Sequence, residues 1–288
     1  MKYGLSYQGS KNTIAEDICD LFPVRTNFYD LFAGGGAITH RMLLLGMFEN
    51  YTMSDINPLP LSLFRDCVEK NVPDPRWVSR EEFMATKDTD AYSACCFSFG
   101  GDWATYLYAK EKEATQRALH QALVYDDLSE LDMDIDLSFM RDYDTWNERR
   151  LAVNRVIPKE NRSVELERMV QLVDISKLRA SSLTILNAKY DDVEIKPDSV
   201  IYCDPPYKDT KGYVAGGFNH DAFYDWCRKQ TELTFISEYT MPDDFDVVAT
   251  FSRTEHKSAT SNIKKITERL FIPSHQRQLY DESKTTLF

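Results

Sequence analysis

The sequence lacks any long uninterrupted apolar run, although 43% of its 288 residues are hydrophobic. A helix that spans a membrane needs roughly 20 consecutive apolar residues. The chain begins with Met1-Lys2-Tyr3-Gly4 and continues into polar residues, without the apolar stretch of a signal peptide. These absences predict a soluble cytoplasmic protein with no membrane partner.

The sequence also lacks the cysteine spacing of a metal site. It has six cysteines, but none form a CxxC pair and no histidine stands at ligand spacing from them. Zinc sites and disulfide frameworks normally show such patterns. We therefore expect buried or incidental thiols and no bound metal.

Positive charge is in deficit, because the net charge is −12. This counts only modestly against nucleic-acid binding, since affinity depends on a local basic face. Acidic residues concentrate in 126–144, and basic residues form two groups that are either solvated surface or phosphate contacts. The first group is Arg149, Arg150, Arg155, Lys159, Arg162, Arg168, Lys177 and Arg179; the second is Arg253, Lys257, Lys264, Lys265, Arg269 and Arg277.

The first 60 residues predict the opening of a doubly wound nucleotide-binding sheet. Residues 26–32 form a buried strand, and three glycines and a helix closed by Gly46 follow. A second strand over 50–54 ends at Asp55. Pro58 and Pro60 are expected to break the structure that comes next.

The texture then changes from strands to helices and back. From about 62 to 180 the chain is charged, aromatic and mostly helical in pattern. Strand-like runs return at 183–187, 200–203, 233–237, 246–251 and 267–272. The simplest architecture is one α/β sheet interrupted by a helical insertion of about 120 residues.

The glycine turn is a candidate cofactor site. Asp30, Leu31, Phe32 and Ala33 lead into Gly34, Gly35 and Gly36 at a strand end before a helix. Glycines there allow a ligand to approach the backbone. The pattern is neither GxGxxG nor a Walker motif, and a tight structural turn would also explain it.

Asp55 favours a nucleoside cofactor. It stands at the end of the second strand, where an acid can accept hydrogen bonds from ribose hydroxyl groups. An adenosine cofactor without a pyrophosphate would not need the dinucleotide glycine pattern. The alternative is that Asp55 only initiates the turn at Asn57-Pro58.

Residues 200–207, VIYCDPPY, are the candidate catalytic segment. The strand places Asp204, Pro205, Pro206 and Tyr207 at its carboxyl end, where open α/β sheets bind ligands. This arrangement fits one chemical task, methylation of an aryl amine such as adenine N6. Such an amine is a poor nucleophile because its lone pair is delocalised into the ring. Asp204 and the Pro205 carbonyl group can each accept one N6 hydrogen, and Tyr207 can stack on the base, so that positioning and electrostatics promote methyl transfer. The alternative is a rigid structural turn.

Other reactions find less support in the sequence. No Pro-Cys dipeptide supplies the thiolate that cytosine C5 methylation needs. Cys203 precedes Asp204, and strand alternation predicts that it points away from the ligand side.

Together these residues resemble the Dam-type adenine-N6 DNA methyltransferases of the alpha order. Tyr7-Gln8-Gly9-Ser10-Lys11 is similar to the family's opening element, Phe32–Gly36 to its F-x-G-x-G, and Asp204–Tyr207 to its catalytic tetrapeptide. Segments 98–103, 218–220 and 236–239 resemble other family features. The resemblance implies that Tyr7, Lys11 and Tyr190 contact the cofactor, alongside Asp30, Phe32, Ala33, Gly34, Gly36, Asp55 and Asp204.

The family implies a Rossmann-like class I sheet that binds S-adenosylmethionine and releases S-adenosylhomocysteine. The motif order implies a catalytic domain at 1–61 and 181–288, with a target-recognition domain at 62–180. The implied substrate is double-stranded DNA, in which an adenine within a short specific sequence is flipped out and methylated directly at N6.

Two alternatives stay open from the sequence. One is methylation of another planar nitrogen, such as cytosine N4, an RNA base or a protein amide. The other is a non-catalytic nucleic-acid-binding protein with a vestigial cofactor site. The sequence also leaves open whether a cognate restriction enzyme is a partner.

Overall fold

The computed structural model describes residues 2–133, 135–207, 217–256 and 263–285. The chain forms two compact units. The first, which we call the sheet unit, consists of Lys11–Pro58 and Arg179–Phe288. The second, which we call the helical unit, consists of Met1–Ser10 and Leu59–Leu178.

Within the described residues, the sheet unit contains a mixed sheet of seven strands in the order β3-β2-β1-β4-β5-β7-β6. The first five strands run parallel, whereas β7 is antiparallel to both β5 and β6. The strands are β1 Asn27–Asp30, β2 Asn50–Asp55, β3 Leu183–Asn187, β4 Ser199–Cys203, β5 Leu233–Glu238, β6 Phe245–His256 and β7 Ile263–Pro273.

Apolar residues on both faces explain why the central strands are completely buried. On one face, Tyr29, Ile201 and Cys203 share a core with Phe223 and Cys227. On the other face, alternate strand residues meet the ring of Phe22; they are Phe28, Tyr202 and Phe235. The helices of this unit are α1 Ala15–Cys19, α2 Ala37–Leu45, α9 His220–Lys229 and α10 Arg277–Thr285. A strand covered on both faces is typically apolar at successive positions rather than at alternate ones.

This architecture confirms the expected Rossmann-like methyltransferase sheet. The chain runs outward from β1 to β2 and β3 on one side, and β4 and β5 lie on the other side. The point where the order reverses, between β1 and β4, is where open α/β sheets bind ligands. Cys203 lies in the core; that it points away from the ligand side stays a prediction.

The helical unit confirms the helical nature of the insertion. Its helices are α3 Pro58–Val68, α4 Arg80–Thr86, α5 Ala91–Phe97, α6 Lys110–Tyr125, α7 Trp146–Val153 and α8 Val164–Ser176. The prediction that Pro58 and Pro60 break the structure was wrong, because α3 begins at Pro58. Proline is compatible with the first turn of a helix, where backbone N–H groups have no intrahelical partner.

The first ten residues belong to the helical unit, whereas the sequence assigned the whole of 1–61 to one catalytic domain. The Trp103 indole donates a hydrogen bond to the Ser6 carbonyl oxygen at 2.7 Å, and the Gln8 N–H donates to the Gly101 carbonyl at 2.7 Å. These bonds join the amino-terminal element to the loop after α5. The assignment of catalytic and target-recognition roles to the segments stays a prediction.

In the part of the chain that the structure describes, no helix has the length and apolar character that crossing a membrane requires.

We expect Gly101→Ala to destabilise the protein more than Gly100→Ala does. Both glycines have positive φ, 73° and 61°, so an L residue costs about 1–2 kcal/mol at either position. A Cβ at Gly101 would also lie 3.1 Å from the Tyr7 nitrogen, whereas one at Gly100 meets nothing within 4 Å. Thermal denaturation of the two variants measures the difference, and equal losses would contradict this account of the Gly101 contact.

Candidate active site

The parallel pairing of β1 and β4 brings the two principal motifs to one edge of the sheet. Asp30 of β1 lies in register with Tyr202 of β4. The glycine turn therefore leaves β1 beside the point where Asp204 leaves β4. This is the carboxyl edge at the reversal of strand order, where ligands bind in this type of sheet.

The glycine turn is held by backbone and carboxylate bonds. The Ala33 N–H donates to the Ser54 carbonyl at 3.0 Å, and the Gly36 N–H donates to the Ala33 carbonyl at 2.7 Å. Gly36 has φ 72° and immediately precedes α2. This left-handed conformation favours glycine and turns the chain sharply into the helix.

Asp55 stabilises the same turn from β2. One carboxylate oxygen accepts from the Gly34 N–H at 2.8 Å, and the other accepts from the Asn57 N–H at 2.8 Å. The turn-initiating alternative for Asp55 is thus present in the structure. Each carboxylate oxygen offers two acceptor sites, so the same group can also accept from a ribose hydroxyl group.

Asp30 is a buried carboxyl group behind the glycine turn. One of its oxygens, Oδ2, accepts from the Thr39 hydroxyl group at 2.8 Å. The other, Oδ1, is buried and has no hydrogen-bond partner among the described residues. Burial raises the pKa of Asp30 to about 7, the Thr39 bond opposes this shift, and the charges of Asp204 and Asp55 add to it. Such an oxygen would suit a donor group of a cofactor.

Aromatic rings form a wall beside the turn. Phe32 and Tyr190 are stacked, with ring centroids 5.4 Å apart and an interplanar angle of 23°. Phe223 and Trp226 lie 5.2 Å from the Tyr190 ring, and Phe218 lies 6.0 Å from it. An apolar wall of this kind fits the planar base of a nucleoside cofactor.

A buried polar cluster surrounds the catalytic loop. The Lys11 ammonium lies 2.5 Å from an Asp204 carboxylate oxygen and 3.5 Å from a Glu268 oxygen. The Tyr207 hydroxyl group donates to that same Glu268 oxygen at 2.7 Å. Lys11 is 4% exposed, Asp204 19% and Glu268 0%, so water screens these charges poorly.

The electrostatics of this cluster act on Asp204 in opposite directions. Burial raises the pKa of Asp204, the Lys11 ammonium lowers it, and the Glu268 charge raises it again. Burial together with the two nearby acids also raises the pKa of the Tyr207 hydroxyl group well above its ordinary value. Lys11 therefore contributes most to favouring the ionised, hydrogen-bond-accepting form of Asp204, and the Tyr207 hydroxyl group adds to this effect.

Tyr7 lies in the helical unit, where its ring packs edge-on against Trp103 at 5.5 Å. From the sequence, Tyr7 and Trp103 belong to two separate segments that resemble the family, and no contact between them was predicted. The cofactor contacts expected for Tyr7, Lys11 and the other predicted binding residues stay predictions.

Sequence reasoning missed several residues of the site. Phe223 and Trp226 are three apart on α9 and so share one helix face, which was a readable signal. Glu268 stands in the row of β7 that contains the buried Leu270 and Ile272. An acid in an apolar row of alternating residues indicates a paired buried charge.

Several residues of the first basic group have structural roles inside the helical unit. Arg168 is buried and donates to the carbonyl groups of Cys95, Cys96 and Ser98. Arg150 is also buried and binds the Asn147 side chain. The prediction of phosphate binding therefore narrows to the exposed members, Arg155, Lys159, Lys177 and Arg179.

The second basic group is described only in part. Lys257 and the side chains of Arg253, Lys264 and Lys265 lie outside the described residues. Arg269 donates to the Tyr239 carbonyl at 2.8 Å, and Arg277 pairs with Asp281 at 3.1 Å. Across the described ranges, no group of three or more His, Cys, Asp or Glu side chains could hold a metal ion.

The strand order, the glycine turn and the D-P-P-Y loop at the reversal point define a class I methyltransferase. The model of the family described as "D12 class N6 adenine-specific DNA methyltransferase" matches residues 7–134 and 152–231. The match covers well over half of the chain, so the chain belongs to this family and is an adenine-specific DNA methyltransferase.

Two further comparisons add no functional argument. No curated protein matches the chain. Among solved structures, it is similar to HI0767 from Haemophilus influenzae, described as a "putative methylase", at 10% identity and a TM-score of 0.31. That similarity covers 90% of this chain and 86% of the other.

The raised pKa of Asp30 predicts that stability falls as the pH rises from about 4 to about 7. In this window the folded state holds a proton that the unfolded state has lost, so each step toward neutral pH favours unfolding. For this rise in the pKa, the free energy of unfolding falls by up to about 4 kcal/mol across the window. Above pH 7 Asp30 is ionised in the folded protein as well, and the cost of burying its charge is then fully present.

Asp30→Asn should remove this dependence, because an amide keeps the Thr39 contact without titrating. We expect the variant to melt above the wild type at pH 8 and to lose that advantage at pH 5. Thermal melting of both proteins across this range is the measurement. A parallel pH dependence in the two proteins would show that Asp30 is not the titrating group.

Proposed function

We propose that the chain transfers the methyl group of S-adenosylmethionine directly to N6 of an adenine that has been turned out of duplex DNA. The family supports methylation of DNA adenine. The observation that carries the cofactor and mechanism is the meeting of the glycine turn and Asp204–Tyr207 at the reversal point of the sheet. A methyl donor and an adenine must lie side by side for direct transfer.

The residues at this edge fit the proposed cofactor. Asp55 would accept the ribose hydroxyl groups, and the wall formed by Phe32 and Tyr190 would pack against the adenine. The buried oxygen of Asp30 would suit the ammonium group of the methionine portion. When bound, the cofactor supplies an electrophilic methyl group on a sulfonium.

The catalytic loop would prepare the target nitrogen. The Asp204 carboxylate and the Pro205 carbonyl group each accept one N6 hydrogen, which draws the nitrogen lone pair out of conjugation with the ring. Asp204 is also an acceptor for the proton that N6 releases as the new bond to carbon forms. The Tyr207 ring stacks on the adenine and fixes its plane.

Turning the base out of the helix makes this contact geometrically reachable. An enzyme that acts on a stacked base must extrude it, at a cost of a few kcal/mol. The exposed basic residues Arg155, Lys159, Lys177 and Arg179 are candidates to bind the phosphate backbone and offset part of this cost. A protein with a net charge of −12 depends on such local positive patches for DNA affinity.

We expect Asp204→Ala to lower methylation by about 10²–10³-fold while the protein still folds. Loss of one preorganised contact to the reacting group lowers kcat by about 10²–10³-fold, and Asp204→Asn, which keeps an acceptor oxygen, should lose less. Nucleoside mass spectrometry on DNA from methylation-free cells that express each variant measures N6-methyladenine. Methylation-aware sequencing of the wild-type sample identifies the sequence context.

The outcomes separate the parts of the proposal. Wild-type levels of N6-methyladenine with Asp204→Ala would overturn the catalytic assignment. If the wild type binds the cofactor in an Asp55-dependent manner but methylates no DNA, the substrate assignment fails and the cofactor site stands.

We expect Lys11→Met to shift the acid side of the kcat profile to higher pH. Without the ammonium group, the largest effect that opposes burial and Glu268 is lost, although the Tyr207 hydroxyl group still lowers the pKa of Asp204, so this pKa would rise. Activity would then be reduced near neutral pH and would recover as the pH is raised. Lys11→Arg retains the charge and serves as the control, and an unshifted profile in Lys11→Met would contradict this role of the ion pair.

A further inference from the structure

Glu268 is a buried charge that the proposed chemistry does not use. It lies on β7, an antiparallel strand that carries none of the residues predicted for catalysis or cofactor binding, and its exposed fraction is 0%. A carboxylate is strongly disfavoured in such a place unless ion pairs and hydrogen bonds compensate. Its contacts are therefore the first clue to its function.

Glu268 contacts two residues of the buried polar cluster around the catalytic loop, Tyr207 and Lys11. One Glu268 oxygen accepts from the Tyr207 hydroxyl group at 2.7 Å and lies 3.5 Å from the Lys11 ammonium. The same ammonium lies 2.5 Å from Asp204 and 5.0 Å from the centre of the Tyr207 ring. Glu268 thus connects the ring and the acceptor of the D-P-P-Y loop through a single oxygen atom.

The hydrogen bond from the Tyr207 hydroxyl group to Glu268 restricts the orientation of the Tyr207 ring. An aromatic side chain can rotate and tilt within an apolar pocket, but a hydrogen bond from its hydroxyl group to a rigid strand limits the tilt. The Tyr239 ring packs edge-on against Tyr207 at 4.6 Å and limits it from another side. A wall for a flipped base needs this rigidity, because small displacements at the reacting atoms cost large factors in rate.

We propose that Glu268 is a positioning residue, which fixes the Tyr207 ring through its hydroxyl group and shares the Lys11 ammonium with Asp204. This inference rests on the proposed function of the D-P-P-Y loop. Glu268 does not contact the adenine in this scheme; it holds the groups that do. Other titratable groups near the cluster include Tyr202, whose hydroxyl group shares a hydrogen bond with that of Ser237, as well as Asp30, Cys203 and Tyr239.

Glu268→Gln tests the proposal, because glutamine keeps the size and an acceptor oxygen but removes the charge. We expect the plateau kcat on DNA to fall by about 10- to 100-fold, since the Lys11 position changes and the Tyr207 anchor weakens. The acid side of the kcat profile should move to lower pH, because a like charge beside Asp204 is gone. The melting temperature should stay equal to that of the wild type or rise.

Glu165→Gln in the helical unit is a matched control. Glu165 is also fully buried and also accepts a hydrogen bond from a tyrosine hydroxyl group, that of Tyr108. This variant should change the melting temperature without moving the pH profile. A Glu268→Gln protein that behaves in this way, with wild-type kcat and only altered stability, would overturn the positioning role.

Tyr207→Phe keeps the proposal testable if Glu268→Gln does not fold. It retains the ring and removes the hydroxyl group that Glu268 binds, so kcat should fall while cofactor affinity stays within about twofold; a wild-type kcat would overturn the proposal. Where both variants fold, the double variant should lose less than the product of the two single losses, and strict additivity would count against a shared contact.

The wild type is assayed first for transfer to adenine N6. No transfer by the wild type overturns the proposed function and, with it, this role of Glu268. Transfer by the wild type and equally by Glu268→Gln overturns the role of Glu268 alone.

Discussion

The Lys11 ammonium lies between the carboxylates of Asp204 and Glu268 in surroundings that exclude most water. Three charges in such a place are tolerated only when they compensate one another. This cluster of three charges therefore links three distant parts of the chain: the segment before α1, the loop after β4 and the middle of β7. The fold brings them together, and the charges in turn require that they stay together.

The same balance determines what the site can do chemically. In the proposed mechanism the ionised form of Asp204 is the stronger acceptor for an amino group, yet burial favours the neutral form. The Lys11 ammonium lowers the pKa of Asp204 and so opposes the effect of burial, whereas the Glu268 charge raises this pKa and offsets part of the effect of Lys11. Without Lys11 the pKa of Asp204 would rise further, which favours the neutral acid.

A second constraint is the shared use of polar groups for structure and ligand. Asp55 holds the glycine turn through Gly34 and begins the turn at Asn57, and it is also the proposed ribose acceptor. In the helical unit, Arg168 uses its charge to hold three carbonyl groups after α5. Two members of the first basic group, Arg150 and Arg168, are buried in the protein, and its exposed members are the proposed contacts to DNA.

The family assignment turns a set of motifs into an enzyme class. The chain is an adenine-specific DNA methyltransferase of the D12 class, which favours adenine among the acceptors that the sequence left open. The sheet confirms the expected fold class independently, since its strand order follows from the backbone pairing alone.

The sequence by itself determined the strands, the glycine turn and the D-P-P-Y loop, because these depend on local patterns: apolar runs, glycine conformation and proline stiffness. It did not predict that Pro58 begins α3, since proline at a first helical turn and proline in a break look alike locally. Only the tertiary structure decided that Glu268, 257 residues after Lys11, meets Lys11 and Tyr207. An ion pair of this kind depends on strand order and register, and no local pattern encodes the distance between two side chains so far apart in the chain.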